Sequence, residues 1–90
     1  MIQHAQTSLP PAEVLARAKQ FFAERVPHAA AYPEKEGGTW LVLRGQGGEE
    51  IAMAALPADG VTRVRASTLL FDQAVSRFLS TLPAPVGSAT

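Results

Sequence analysis

The chain has 90 residues, of which 47 % are hydrophobic and 18 % charged, and its eight basic and eight acidic side chains give a formal net charge of zero. This length fits one domain, and the even charge balance argues against a nucleic-acid partner, because phosphate binding depends on clustered positive charge. The absence of cysteine excludes disulfides, thiolate catalysis and cysteine-based zinc sites.

The N-terminal residues lack the basic start and the apolar centre of a signal peptide. No apolar run approaches the roughly 20 residues that span a bilayer. We therefore expect a cytoplasmic protein without a membrane partner.

The first elements along the chain are an edge strand and an amphipathic helix. Residues 2–8 are polar and short, which suits a strand at the edge of a sheet. A helix is predicted from Pro11 to Val26, with Pro11 in the first helical position and Glu13 in the first turn, where the helix dipole favours a carboxylate. Pro27 ends it. Its apolar stripe contains Val14, Leu15, Ala18, Phe21, Phe22 and Val26.

Residues 28–38 allow two interpretations. Residues 29–32 form either a short strand that turns through residues 33–38 into the next one, or part of a loop. The strand is the preferred interpretation.

The centre of the chain is predicted to be a meander of three strands, at residues 39–44, 49–56 and 61–67. Each of the two connecting loops, at residues 45–48 and 57–60, is counted as four residues long, and loop length fixes strand register. The first hairpin then pairs Arg44 with Glu49, Val42 with Ile51 and Trp40 with Met53. The second pairs Met53 with Val64, Ile51 with Ala66 and Ala55 with Thr62.

This register gives the sheet one strongly apolar face. Its predicted members are Trp40, Val42, Ile51, Met53, Ala55, Val64 and Ala66. A last helix is predicted from Leu69 to Leu82, capped by Ser67 or Thr68 and stopped by Pro83. Its apolar stripe contains Phe71, Ala74, Val75, Phe78, Leu79 and Leu82.

Both helical stripes need an apolar sheet face to cover. The predicted fold is therefore an α+β two-layer sandwich, in which two helices pack on one face of an antiparallel sheet of four or five strands in β-α-β-β-β-α order. We expect the N-terminal strand to pair with the strand at residues 61–67. The domain should cover residues 1–82, and residues 83–90 should form a disordered tail.

The opposite sheet face is the candidate binding surface. It is predicted to have an apolar centre flanked by two arginines, as an interface with a second copy or another protein has. The alternative is an ordinary solvated face, in which arginine stems cover a few small apolar side chains. The candidate interface residues are Leu41, Leu43, Ala52, Ala54, Arg63 and Arg65.

The remaining motifs predict neither phosphate binding, nor metal binding, nor catalysis. The glycine-rich run at residues 45–48 joins two strands and opens no helix, so it lacks the anion site of a phosphate-binding loop. His4 and His28 have no second ligand at metal-site spacing. No catalytic constellation, metal site or cofactor is predicted, and the chain is expected not to be an enzyme.

The aromatic side chains suggest an alternative function. A pocket for an apolar small molecule could lie under Trp40, between the sheet and the C-terminal helix, lined by Trp40, Met53, Phe71 and Phe78. A well-packed core is favoured over a pocket, because a ligand-sized void would remove much of the packing of so small a domain.

Three segments resemble the START-like, helix-grip superfamily. They are Pro11-Ala12-Glu13-Val14 opening a helix after a short strand, Gly37-Gly38-Thr39-Trp40 opening a meander, and Asp59-Gly60-Val61-Thr62-Arg63-Val64 followed by a C-terminal amphipathic helix. The resemblance implies the order of elements and the binding of an apolar ligand in a cavity. This chain lacks several of the strands that form the cavity in that superfamily, and the resemblance implies no catalytic residues.

The sequence suggests two candidate functions. The first is a non-enzymatic interaction domain that binds itself or another protein through the second sheet face. The second is a small carrier of an apolar ligand.

Overall fold

The structure, a computed structural model, describes residues 2–24, 31–45, 47–68 and 71–84. Within them the elements are β1 (Ile2–Thr7), α1 (Pro11–Glu24), β2 (Ala31–Glu36), β3 (Trp40–Gly45), β4 (Glu50–Ala58), β5 (Val61–Thr68) and α2 (Asp72–Ser80). The strands form one antiparallel sheet in the order β1-β5-β4-β3-β2, and both helices pack on the same face. The predicted α+β sandwich is confirmed, including the pairing of β1 with β5.

Helix α1 starts where the sequence predicts. The backbone N–H groups of Glu13 and Val14 both donate to the carbonyl of Pro10, at 3.0 and 3.1 Å, which closes the first turn. The buried stripe of α1 contains Val14, Leu15, Ala18, Phe21 and Phe22, as predicted. The predicted end of this helix at Val26 lies outside the described residues.

Helix α2 is shorter than predicted. Phe71 is its N-cap residue and makes no side-chain cap hydrogen bond. The predicted capping by Ser67 or Thr68 is wrong, because both residues belong to β5, where the Thr68 hydroxyl donates to the Glu50 carbonyl at 3.1 Å. The predicted start at residue 69 lies outside the described residues, and the helix ends at Ser80, two residues before the predicted end.

Of the two interpretations of residues 29–32, strand or loop, the structure shows a strand at the two residues that it describes. Ala31 and Tyr32 belong to the strand, which continues through Pro33 to Glu36, where a turn was predicted. A register shift between Pro33 and Lys35 accommodates the proline, which cannot donate to the ladder. Residues 29 and 30 lie outside the described residues.

The β4–β5 hairpin turns in two residues instead of the predicted four. Asp59 and Gly60 have φ angles of 52° and 81°, so both central residues are left-handed, as a type I′ turn requires. Strand β4 therefore extends to Ala58, which pairs with Val61. Met53 pairs with Ala66, a shift of two residues from the predicted register, and a shift of two keeps every side chain on its predicted face.

The β3–β4 register differs from the prediction by one residue, and this difference matters for function. Arg44 pairs with Glu50, Leu43 with Ile51 and Leu41 with Met53. Counted between Arg44 and its partner, the connection therefore has five residues, 45–49, instead of the predicted four, although Gly45 still belongs to β3. Because the side-chain period of a strand is two, a shift of one residue moves every side chain of β3 to the other face. Leu41 and Leu43 are 1 % and 0 % exposed, and their predicted place on the uncovered face is wrong.

The core lies between the sheet and the two helices. Four phenylalanines, three in the helices and one at the N-cap of α2, meet at its centre. The ring centroids of Phe22 and Phe78 are 5.7 Å apart, and those of Phe21 and Phe78 are 5.4 Å apart. Such aromatic pairs are a large part of core stability. The sheet side of the core is formed by Ala31, Leu41, Leu43, Ile51, Met53, Ala55, Val64 and Ala66.

Two buried threonines of the sheet hold residues outside it, one in the β1–α1 connection and one after α2. The Thr7 hydroxyl donates to the Pro83 carbonyl at 2.7 Å, and the Thr62 hydroxyl donates to the Leu9 carbonyl. The predicted tail thus begins with a residue held against β1, and residues 85–90 of it lie outside the described residues. Among the described residues, no helix has the length and apolarity needed to cross a bilayer.

The register of β3 can be tested by two neighbouring substitutions. Leu43→Ala should lower the free energy of unfolding by about 2–5 kcal/mol, because it leaves a cavity in the core. Val42→Ala, on the other face of the same strand, should cost about 1 kcal/mol or less. Urea denaturation of both variants is the measurement, and a larger loss for Val42→Ala would contradict this register.

Candidate interaction surface

The sheet face opposite the helices, which we call the open face, has no layer covering it among the described residues. Strand pairing and the alternation of burial define which side chains it carries. Its residues are Ile2, His4 and Gln6 on β1, Val61, Arg63, Arg65 and Ser67 on β5, Glu50, Ala52, Ala54, Leu56 and Ala58 on β4, Trp40, Val42 and Arg44 on β3, and Tyr32 and Lys35 on β2.

The exposed large apolar side chains of the described chain all lie on the open face. They are Ile2, Tyr32, Trp40 and Leu56, and each is between 43 and 52 % exposed. Single exposed apolar residues are ordinary in soluble proteins, but their collection on one face is typical of a binding surface. The helical side of the molecule exposes no large apolar side chain among the described residues.

The predicted site residues fall on both faces of the sheet. Ala52, Ala54, Arg63 and Arg65 lie on the open face, as predicted. Leu41 and Leu43 lie in the core, and their predicted places are taken by Trp40 and Val42. The pattern missed this exchange because residues 40–43 are all apolar, so alternation alone does not show which pair faces the helices.

The apolar-ligand pocket predicted under Trp40 is not formed by its predicted residues. Met53, Phe71 and Phe78 are buried in the core, whereas Trp40 lies on the other side of the sheet. The four side chains are therefore separated by the sheet itself. The aromatic packing fills the space between sheet and helices where the pocket was expected.

The open face has a rim on each side of a low centre. Ala54 on β4 lies between Trp40 on β3 and Arg65 on β5, each directly paired with it. The resulting hollow over Ala52 and Ala54 has a volume of about 190 Å³. A second depression of about 570 Å³ adjoins it, lined by His4, Gln6, Leu56, Arg63 and Arg65 among others.

The Trp40 indole is held by the turn that precedes it. Its ring packs against Gly37 so closely that a Cβ atom at that position would lie 2.2 Å from the indole Nε1. The backbone N–H of Gly37 donates to the Trp40 carbonyl at 2.9 Å. The indole is thus placed over the β2–β3 turn, and this leaves the hollow beside it open.

Charge on the open face is divided between its two halves. On the β2–β3 side, Arg44 Nε lies 2.7 Å from Glu34 Oε2, and Arg44 Nη2 lies 3.3 Å from Glu50 Oε2. The predicted Arg44–Glu49 pair is wrong, because the longer connection points Arg44 to the open face. On the β5 side, Arg63 and Arg65 have no ion-pair partner among the described residues.

The Arg44 guanidinium changes the titration of its neighbour. Its hydrogen bond to the Glu34 carboxylate holds the pKa of Glu34 below the ordinary value of 4.5, and the same hydrogen bond raises the pKa of Arg44. Both groups therefore stay charged at neutral pH. Among the described residues, no group of three His, Asp or Glu side chains is placed to hold a metal ion.

The lowered pKa of Glu34 should depend on the Arg44 guanidinium. We expect Arg44→Gln to raise the pKa of Glu34 towards 4.5, measured by carboxyl NMR through an acid titration. The pKa of Glu34 is lower in the folded chain than in the unfolded chain. The ion pair therefore stabilises the fold at pH values above the unfolded pKa of Glu34, and this stabilisation is lost as the pH falls through the folded pKa. An unchanged Glu34 pKa in the variant would contradict the pairing.

Comparison with known protein families, with curated proteins and with solved structures finds no match for the chain. The resemblance to START-like proteins therefore stays a prediction. What the chain does is inferred from its own surface.

Proposed function

We propose that this protein is a non-enzymatic interaction domain that binds another protein surface through its open face. The observation that carries the proposal is the collection, within the described part of the chain, of the exposed large apolar side chains on the sheet face that neither α1 nor α2 covers. Burial of apolar area is the main favourable term in protein association. A face of this kind gains stability when a partner covers it.

The composition of the open face supports binding to a protein. Tryptophan, tyrosine and arginine are the side chains enriched at the energetic centres of interfaces, and the open face carries Trp40, Tyr32, Arg63 and Arg65. Its alanine floor lets a partner backbone or side chain approach closely. The surrounding charged groups form a polar rim, as in other non-obligate interfaces.

A second candidate function uses the same face. The depression of about 570 Å³ has an apolar floor at Ala54 and Leu56 beside the guanidinium groups of Arg63 and Arg65. That combination suits a small molecule with an apolar body and an anionic head. This version of the apolar-ligand hypothesis differs from the predicted one, because the ligand would lie on the open face instead of in the core.

The interaction function can be tested by placing a photoreactive amino acid at either of two positions. At Val42 it would lie on the open face, whereas at Ala16 it would lie on the exposed surface of α1. In an extract of the cells that make the protein, irradiation should give protein adducts from position 42, including adducts with a second copy, and few from position 16. Unlabelled wild-type chain should compete for these adducts, and a Trp40→Asp chain should not.

Two results would contradict the proposed function. One is the same adducts from both positions, which would indicate random collision. The other is the absence of adducts from position 42 in an extract where the chain is abundant. The matched position on α1 controls for reactivity, since both sites are on regular elements and at least partly exposed.

A further inference from the structure

We propose that the partner of the open face is a second copy of this chain, and that the two copies meet about a two-fold axis running along β4. This inference rests on the proposed function and names the occupant of the surface. It is carried by the arrangement of Arg65, Ala54 and Trp40 in one row across three neighbouring strands.

The row is self-complementary about its middle residue. Rotation of a second sheet about an axis along β4 places its β3 over β5 of the first copy, and its β5 over β3 of the first copy. Arg65 of each copy then lies opposite Trp40 of the other, and Ala54 lies opposite Ala54 at the axis. The contact is isologous, as closed two-fold dimers require.

The opposed side chains have matching chemistry. A guanidinium that stacks over an indole face gains cation–π attraction, most of all where water is excluded. Within one chain, Arg65 and Trp40 stand on strands two positions apart, about 9.6 Å between strand axes, with the hollow over Ala52 and Ala54 between them. That hollow gives the long Arg65 side chain of the second copy room to reach the indole.

Charge selects this axis over the alternative. A two-fold axis across the strands would lay β5 on β5, so that Arg63 and Arg65 of one copy would meet those of the other without a carboxylate between them. Like charges brought together at an interface are unfavourable. The axis along β4 instead lays Arg63 and Arg65 over the half formed by β3 and β2, where Arg44 is already paired with Glu34 and Glu50. Lys35 of that half falls opposite Ile2, so neither arginine of β5 meets its own copy.

The size of the face predicts a weak dimer. Five strands about 4.8 Å apart and roughly 20–25 Å long offer on the order of 500–600 Å² per copy. The total of about 1,000–1,200 Å² lies at the lower limit of specific interfaces. We therefore expect association that depends strongly on concentration.

Sedimentation equilibrium from ~10 µM to ~1 mM tests the dimer itself, because interfaces of this size associate weakly. Wild-type chain should shift from monomer to dimer across the series. Arg65→Glu should weaken the association at least about tenfold, since it removes the cation opposite the indole. Arg65→Gln should weaken it less, and the matched Arg77→Glu on the exposed surface of α2 should leave it unchanged.

Single cysteines test the axis, because the native chain has none. Ala54→Cys places its thiol at the axis, where a short bismaleimide should link two copies. His4→Cys lies on the same face in the same row but about 19 Å from its counterpart in the second copy, four strand spacings away, and should not be linked. The axis across the strands would instead bring His4 onto itself and link both variants.

The outcomes separate this inference from the proposed function. A chain that stays monomeric at ~1 mM overturns the dimer, whereas adducts from position 42 with a different protein would still support the interaction domain. A dimer in which His4→Cys links as readily as Ala54→Cys overturns the axis. A dimer that is unaffected by Arg65→Glu and unlinked through Ala54→Cys overturns the use of the open face altogether.

Discussion

The length of the connection between β3 and β4 determines which side of this protein is core and which is surface. The backbone N–H of Gly45 donates to the Glu49 carbonyl at 2.8 Å, and that of Gly48 donates to the Gly45 carbonyl at 3.1 Å. Gly48 has a φ of 89°, which a residue with a side chain rarely adopts. The Glu49 carboxylate also accepts from the Gly47 backbone N–H at 3.0 Å, so the turn is held by its own backbone and one side chain.

This turn has a consequence for every side chain of β3. With five residues in the connection, Leu41 and Leu43 enter the core, and Trp40, Val42 and Arg44 turn outward. With four, the tryptophan would be buried and the leucines would be exposed. One residue of loop length thus places Trp40 on the open face and brings Arg44 to its ion pairs with Glu34 and Glu50.

The elements that could be predicted are those whose two sides differ in polarity or in size. Helix α1 has a polar and an apolar side, β5 alternates polar with apolar residues, and β4 begins by alternating larger apolar residues with alanine. Their buried faces were therefore predicted correctly, even where the β4–β5 register was two residues off. Strand β3 is apolar on both faces, and its orientation depends on a glycine-rich turn whose length cannot be counted from composition. Strand β2 was obscured by Pro33, which a bulge accommodates.

The predicted surface residues are correct on β4 and β5 and wrong on β3. Ala52, Ala54, Arg63 and Arg65 were assigned to the open face because β4 and β5 were oriented correctly, whereas Trp40 and Val42 were exchanged for Leu41 and Leu43 with the rest of β3. Ile2 was missed because β1 pairs with β5, which is distant in the sequence. Tyr32 was missed because β2 contains Pro33 and pairs with β3, whose own orientation was predicted wrongly. Burial of the leucines and exposure of the tryptophan are thus two results of one register.

Cross-strand nuclear Overhauser effects between β3 and β4 test this register most directly. The structure predicts contacts of the backbone protons of Val42 with those of Ala52, and of Leu43 with those of Ile51. Contacts of Val42 with Ile51 and of Trp40 with Met53 would show the four-residue connection. That result would place the tryptophan in the core and contradict its position on the open face.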